Sequence, residues 1–307
     1  MVLSHCNPSI LSKALYLGSV ILIPIFFICA GYTTLANYSL KSKAKKLLIP
    51  YFVLNCLFLI IFHKDADIYS YIGVFYSRYS LYPLSSPECN NIFFLNVFNA
   101  PMWFFTAMFT AYIFYKPFIY LRGFKAYILL FIYLSISYLT KYIPILLPWS
   151  IDTAFLFATY MYVGKFIREN NLISNRLIIL PFLLLYLISV IIPIPINLSV
   201  RIFGNNLLQY VCIFTGAFSG CYILMRLSYL FEQINSKFIR FISNNALIIF
   251  SVQIPFIEIG AFLGQFFHLP QISIAIIQLL LVFLGGGAIG VAYNYVKTSI
   301  VNFITPK

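Results

Sequence analysis

Charge is scarce in this sequence, and negative charge scarcer still: Asp, Glu, Lys and Arg make up 9% of its 307 residues, and only seven are acids. An ordinary soluble domain carries about 25% charged residues. Twenty bases and seven acids cannot coat a water-exposed surface of this size, so many apolar side chains must face lipid. Soluble enzymes, nucleic-acid readers and secreted disulfide scaffolds are excluded. Histidine is also rare, with His5, His63 and His268 the only three. The six cysteines (Cys6, Cys29, Cys56, Cys89, Cys212, Cys221) are scattered, mostly inside apolar runs, with no CxxC and no Cys/His cluster at metal-ligand spacing. They read as small apolar residues, and no metal is expected. No GxSxG, P-loop, HExxH or GxGxxG is present, so hydrolase, ATPase, metalloprotease and Rossmann readings get no support. The opening MVLSHCNP has no basic n-region, which argues against a cleavable signal peptide.

What is present is apolar, at 62% of the chain. A spanning helix needs roughly 20 mostly apolar residues, and such runs lie at about 14–36, 47–62, 101–119, 126–140, 150–167, 177–195, 207–225, 245–267 and 271–296. The expected fold is all-α: one polytopic membrane helical bundle over 1–307, with nine complete spans. A stub at 1–8 reads as the end of a further, truncated first helix. Pro24, Pro181 and Pro255 are expected to kink their helices. Residues 63–100 form the longest polar stretch, and 226–244 read as an amphipathic segment lying on the membrane.

The bases set the orientation. With the loop at 37–46 placed in the cytoplasm, fifteen Lys and Arg fall inside and five (Lys13, Lys64, Arg78, Lys141, Arg201) outside. This implies a multi-pass protein of the inner (plasma) membrane with a cytoplasmic C-terminus. The net charge of +13 lies between apolar runs and not on one face, so membrane lipid is the expected partner and nucleic acid is not.

A charge near the bilayer centre costs about 2.5–3.5 kcal/mol on insertion scales, so an acid at membrane depth invites a functional reading. Asp152 opens the span LPWSIDTAFLFATYMYVGKF, as a helix N-cap or as a polar contact for substrate. Glu258 lies within ALIIFSVQIPFIEIGAFLGQF, as a structural acid or a functional one. Gly285, Gly286 and Gly287 permit close helix packing or a kink. Lys41, Lys43, Lys45 and Lys46, in KSKAKKLLIPYF, form either an anchor on anionic lipid or a dock for a phosphate-rich soluble donor. Trp103 and Tyr32 are candidate sugar or pantetheine contacts, with aromatic-belt packing the alternative.

Four stretches together resemble the integral-membrane acyltransferase 3 family, in its branch of fucose 4-O-acetylase-like and O-antigen O-acetyltransferases. IPIFFICAGYTT at 23–34 is similar to the family's "PlFFxxSGY" helix end, with Ala30 where relatives carry Ser. KSKAKKLLIPYF at 41–52 is similar to its basic "kxkrLliPYf" entry. APMWFFTAMFTAYIFY at 100–115 and LPWSIDTAFLFATYMYVGKFIRE at 147–169 follow in family order. The resemblance implies acetyl transfer from cytoplasmic acetyl-CoA to a hydroxyl of a cell-surface or lipid-linked glycan, with no metal. MVLSHCNP aligns with the family's "vvlgHs.p", which puts His5 on the catalytic position; the family Arg would fall eleven residues earlier, before Met1. Lys41, Lys43, Lys45 and Lys46 would dock the donor's phosphates, and Asp152, Trp103 and Tyr32 would contact substrate. Gln253 stands where relatives show His. The competing readings are a polysaccharide-unit flippase and a catalytically inactive bundle of the same family.

Overall fold

Backbone N–H and C=O groups that meet lipid must be satisfied within their own segment, so apolar runs of this length fold as helices. The computed structural model describes residues 20–62, 68–78, 80–83, 102–175, 178–191, 194–231, 236–293 and 295. Contacts divide the described residues into two units, the larger running to Phe231 and the smaller beginning at Ser236.

The larger unit holds α1 (Pro24–Thr33), α2 (Leu40–Phe62), α3 (Ile68–Tyr76), α4 (Trp103–Tyr120), α5 (Phe124–Leu139), α6 (Ile151–Glu169), α7 (Ile179–Ile191) and α8 (Leu207–Leu230). The smaller unit holds α9 (Lys237–Phe266) and α10 (Gln271–Leu280), the latter continuing through a π-turn at Leu281–Gly285. Helix thus lies in every apolar run read from the sequence. Five helical stretches among the described residues are long and apolar enough to cross a membrane: Leu40–Ile61, Phe124–Tyr142, Leu207–Leu230, Lys237–Phe266 and Gln271–Tyr293.

Local chemistry explains where the helices start. The Ser39 hydroxyl accepts the Ser42 amide N–H at 3.4 Å, so α2 begins before its apolar run and takes in all four lysines. Asn206 caps α8 by accepting from Gln209 N at 2.9 Å, and Ser236 caps α9 by accepting from Ile239 N at 3.5 Å. Those two helices absorb the stretch read as a separate amphipathic segment: 226–230 complete α8 and 237–244 open α9. Helix at 20–22 breaks at Ile23, just before Pro24, as a proline there is expected to cause; Pro181 falls in a first turn, where the missing N–H breaks no hydrogen bond, and Pro50, Pro117 and Pro255 are interior.

In the larger unit α6 is the pillar. Fourteen of its 19 residues are buried, beneath α1, α4 and α5, which explains how it tolerates Asp, Lys and two Thr. Off this pillar, α7 packs on α8, and a two-residue antiparallel ladder pairs β1 (Ile196–Asn197) with β2 (Ile202–Phe203). In the smaller unit the glycine run is an approach surface. A Cβ at Gly285 would lie 2.5 Å from the Phe256 ring, and one at Gly290 would lie 2.5 Å from Asn245 Oδ1. Glu258 is on the exposed side of α9.

Candidate functional site

The two ends of α6 carry different chemistry. At its N-terminal end the chain turns into the helix through two consecutive non-glycine residues in left-handed conformation, Trp149 (φ 54°) and Ser150 (φ 57°). Such backbone costs about 1–2 kcal/mol per residue. Surrounding hydrogen bonds hold it: Trp149 Nε1 donates to the Phe75 carbonyl at 2.6 Å, and Thr110 Oγ1 donates to the Trp149 carbonyl at 3.0 Å. The elbow delivers Asp152, in the first turn of α6, to full burial.

Two arginines meet it there. Arg78 Nη2 donates to Asp152 Oδ1, and Arg201 Nη1 to Oδ2 at 3.4 Å. The same carboxylate accepts the Leu147 amide at 3.3 Å and the Thr153 amide at 3.0 Å. Each guanidinium continues outward to carbonyls. Arg78 reaches Leu147 at 3.1 Å and Ser199, and Arg201 reaches Ile145 at 2.9 Å and Ile143. Arg78 is 1% exposed and Arg201 4%. Asp152 therefore ties the segments around residues 78, 145 and 200 to the start of α6. Burial pulls the Arg201 pKa below its usual value while Asp152 opposes the shift. Two guanidiniums against one carboxylate leave one surplus positive charge in a dry site, an arrangement that stands only while every member is paired. Asp152 is wholly buried and engaged by protein groups, and it lies inside the first turn of α6, whose N-cap is Ser150.

At the other end, α1 and α6 touch backbone to backbone. A Cβ on Gly31 would lie 1.8 Å from the Met161 carbonyl oxygen, and one on Gly164 1.9 Å from that of Ile28. Only glycine permits this crossing. It brings Arg168 Nη1 to the carbonyls of Tyr32 and Thr34, at 2.7 Å each, where the cation satisfies the last carbonyls of α1. Lys165 does the same for α4, donating to Phe118 O at 2.6 Å and Leu121 O at 3.4 Å.

The lysine run of α2 lies at this end. Lys43 Nζ donates to the Tyr112 hydroxyl at 2.9 Å and stands 4.3 Å from that ring's centroid. Tyr38 donates to the Tyr112 carbonyl at 2.6 Å, and its ring lies 5.5 Å from that of Tyr112 and 6.4 Å from that of Tyr115. Burial raises the Tyr38 pKa, so its phenol remains a donor. Lys41, Lys45 and Lys46 are exposed. Three exposed ammonium groups and one fixed against tyrosine thus make the start of α2 strongly basic, with the Tyr38–Tyr112 ring pair beside Lys43.

Of the other candidates, Tyr32 is half-buried at the Arg168 end. Trp103 packs with Phe104 and Phe157, at 6.3 Å from each, about 13 Å down α4 from Tyr112. Phe27 stacks on Phe157 at 4.1 Å and completes that aromatic cluster. The structure thus does not bring Tyr32 and Trp103 to one place. His5 and His63 lie outside the described residues. Sequence reasoning missed Arg78 and Arg201 as the partners of Asp152, and Tyr38 and Tyr112 as the partners of the lysine run.

The acyltransferase-domain model of the acyltransferase 3 family matches residues 2–295. The chain belongs to the acyltransferase 3 family. No curated protein and no solved structure shows a significant match. Membership makes the protein a membrane acyltransferase. The four stretches that carry the family resemblance fall on α1, the start of α2, α4 and the elbow with α6. Helices α1 and α4 both pack on α6, and α2 packs on α4, so the family pattern marks one contiguous group of helices in the larger unit.

Proposed function

We propose that this acyltransferase moves an acetyl group from cytoplasmic acetyl-CoA to a hydroxyl of a cell-surface or lipid-linked glycan, in the manner of the O-antigen-modifying branch. The observation that carries this reading is the lysine-bearing end of the larger unit, where Lys43 meets Tyr112 of the Tyr38–Tyr112 pair and Lys41, Lys45 and Lys46 stand exposed on the same helix. Ammonium groups bind the donor's phosphates, and the tyrosine faces suit an adenine ring. The end bearing the lysines is then cytoplasmic and the Asp152 end faces out, as the base distribution requires. The seventeen residues from Asp152 to Arg168 span about 24 Å of helix. Donor and acceptor therefore approach from opposite faces.

His5 is the general base in this scheme. It takes the proton of the sugar hydroxyl as that oxygen attacks the thioester carbonyl carbon. The C–S bond breaks, the coenzyme leaves as thiolate, and the proton passes to it. The test is acetylation of surface glycan in cells, read by mass spectrometry. His5→Ala should abolish transfer while membrane insertion persists, and full acetylation in that variant removes His5 from the mechanism. A reporter fused after Lys307 should read cytoplasmic and one within 75–90 external; both on one side would overturn the orientation.

A further inference from the structure

Beside the Asp152 cluster a pocket of about 480 Å³ opens between two loops of the larger unit. Lys141, Tyr142 and Ile143 come from one loop, and Arg201, Gly204 and Asn205 from the other. That volume lies in the range of small-ligand pockets and accommodates one or two sugar rings. No acid is among the lining residues described. Among the described residues Lys141 Nζ donates to neutral oxygens, Tyr138 Oη at 3.0 Å and the Asn205 carbonyl at 3.3 Å, and stands 5.1 Å from the Tyr142 ring centroid. Arg201 shares its single carboxylate with Arg78, and its Nε has no hydrogen-bond acceptor among the described residues. Two cations, Lys141 and Arg201, thus line a cavity walled by aromatic and proline residues, and the one carboxylate that Arg201 meets is also claimed by Arg78. The walls are set by the backbone: Gly204, at φ 78°, donates to the Pro195 carbonyl at 3.0 Å and closes the turn after β2.

We propose that this pocket is an anion subsite for the acceptor, so that the enzyme acts on a glycan carrying a carboxylate or phosphate next to the sugar it acylates. Lys141 binds the anion directly. Arg201, held by Asp152, supplies a fixed positive field from the pocket floor. Tyr142, exposed at the rim, offers a face for a pyranose ring. This rests on the acetyltransferase reading and adds the charge class of the acceptor. The negative group belongs either to the sugar, as a carboxylate, or to the lipid linkage, as phosphate.

The test uses the full chain purified in detergent, with three probes: a glucuronate-terminated disaccharide, its neutral glucose-terminated counterpart, and inorganic pyrophosphate. At least one anionic probe should bind about tenfold or more tighter than the neutral one, the effect of one charge-assisted hydrogen bond. The uronate prevailing places the charge on the sugar, and pyrophosphate prevailing places it on the lipid linkage. Lys141→Gln should erase the preference. Asn205→Asp, which sets a negative charge in the pocket without touching the Asp152 cluster, should erase it too. Equal affinity for all three probes, or a preference that survives both variants, overturns the subsite. Acetyl-CoA affinity measured on the same samples separates the two readings. Donor binding without anion preference defeats the pocket alone. Anion preference without donor binding defeats the acetyltransferase reading and leaves the pocket standing.

Discussion

The two ends of α6 use charge in opposite ways. Around Asp152 three charged groups are buried, mutually paired and spent on joining loops. At the other end Lys41, Lys45 and Lys46 are exposed and Lys43 is half-buried against the Tyr112 hydroxyl, while Lys165, which is buried, and Arg168, which is half-buried, donate to backbone carbonyls. A buried charge without its partner is costly, so the first set functions only as a unit. Exposed ammonium groups keep their hydration and exchange it for phosphate at little loss. The difference separates a buried frame from an open basic edge.

Removing the hub should break this comparison most sharply. Asp152→Asn leaves Arg78 and Arg201 buried without a counter-charge and should cost about 3–5 kcal/mol, seen as a large fall in thermal stability in detergent. Stability equal to the parent's would mean that the Asp152 end is no frame at all. Neutralising Lys45 and Lys46 together should instead leave stability intact and weaken acetyl-CoA binding, by about 1.5–3 kcal/mol for each lysine–phosphate hydrogen bond removed. Unchanged donor affinity in a correctly inserted protein would return the run to a lipid anchor. Gly164→Ala tests the crossing between the ends. Its Cβ overlaps the Ile28 carbonyl, and overpacking of this kind costs about 1–3 kcal/mol; a parent-like melting temperature would show that α1 and α6 can part freely. The smallest effect has the opposite sign. Ser150→Gly relieves a left-handed residue whose buried hydroxyl has no hydrogen-bond partner among those described, and should stabilise by about 1–2 kcal/mol. A fall in stability there would mean that the hydroxyl is engaged.

Part of the site was open to sequence reasoning because so few charges exist. Positive-inside counting assigns Arg78, Arg201 and Asp152 to one side of the membrane, and their pairing is the next step from that assignment. Tyr38 and Tyr112 had no comparable signal in a chain with 24 tyrosines, since what singles them out is the packing of α4 against the entry to α2. Gly31 stood inside a family motif, yet its reason, a missing Cβ facing the Met161 carbonyl, is visible only once α1 and α6 are packed.

By itself the sequence determined that this chain is a bundle of membrane helices, because 62% apolar residues in long runs leave the backbone no other way to satisfy its hydrogen bonds in lipid. Its ordered motifs also led to the acyltransferase family. The tertiary structure alone decided which helix is the pillar, and it is not one of the most apolar: α6 is absent from the helical stretches apolar enough to span unaided. Hydropathy reports what a segment can bury in lipid. Interior position depends on what neighbouring segments can cover, and polar groups such as Asp152, Lys165 and Arg168 are tolerated where other elements supply their partners.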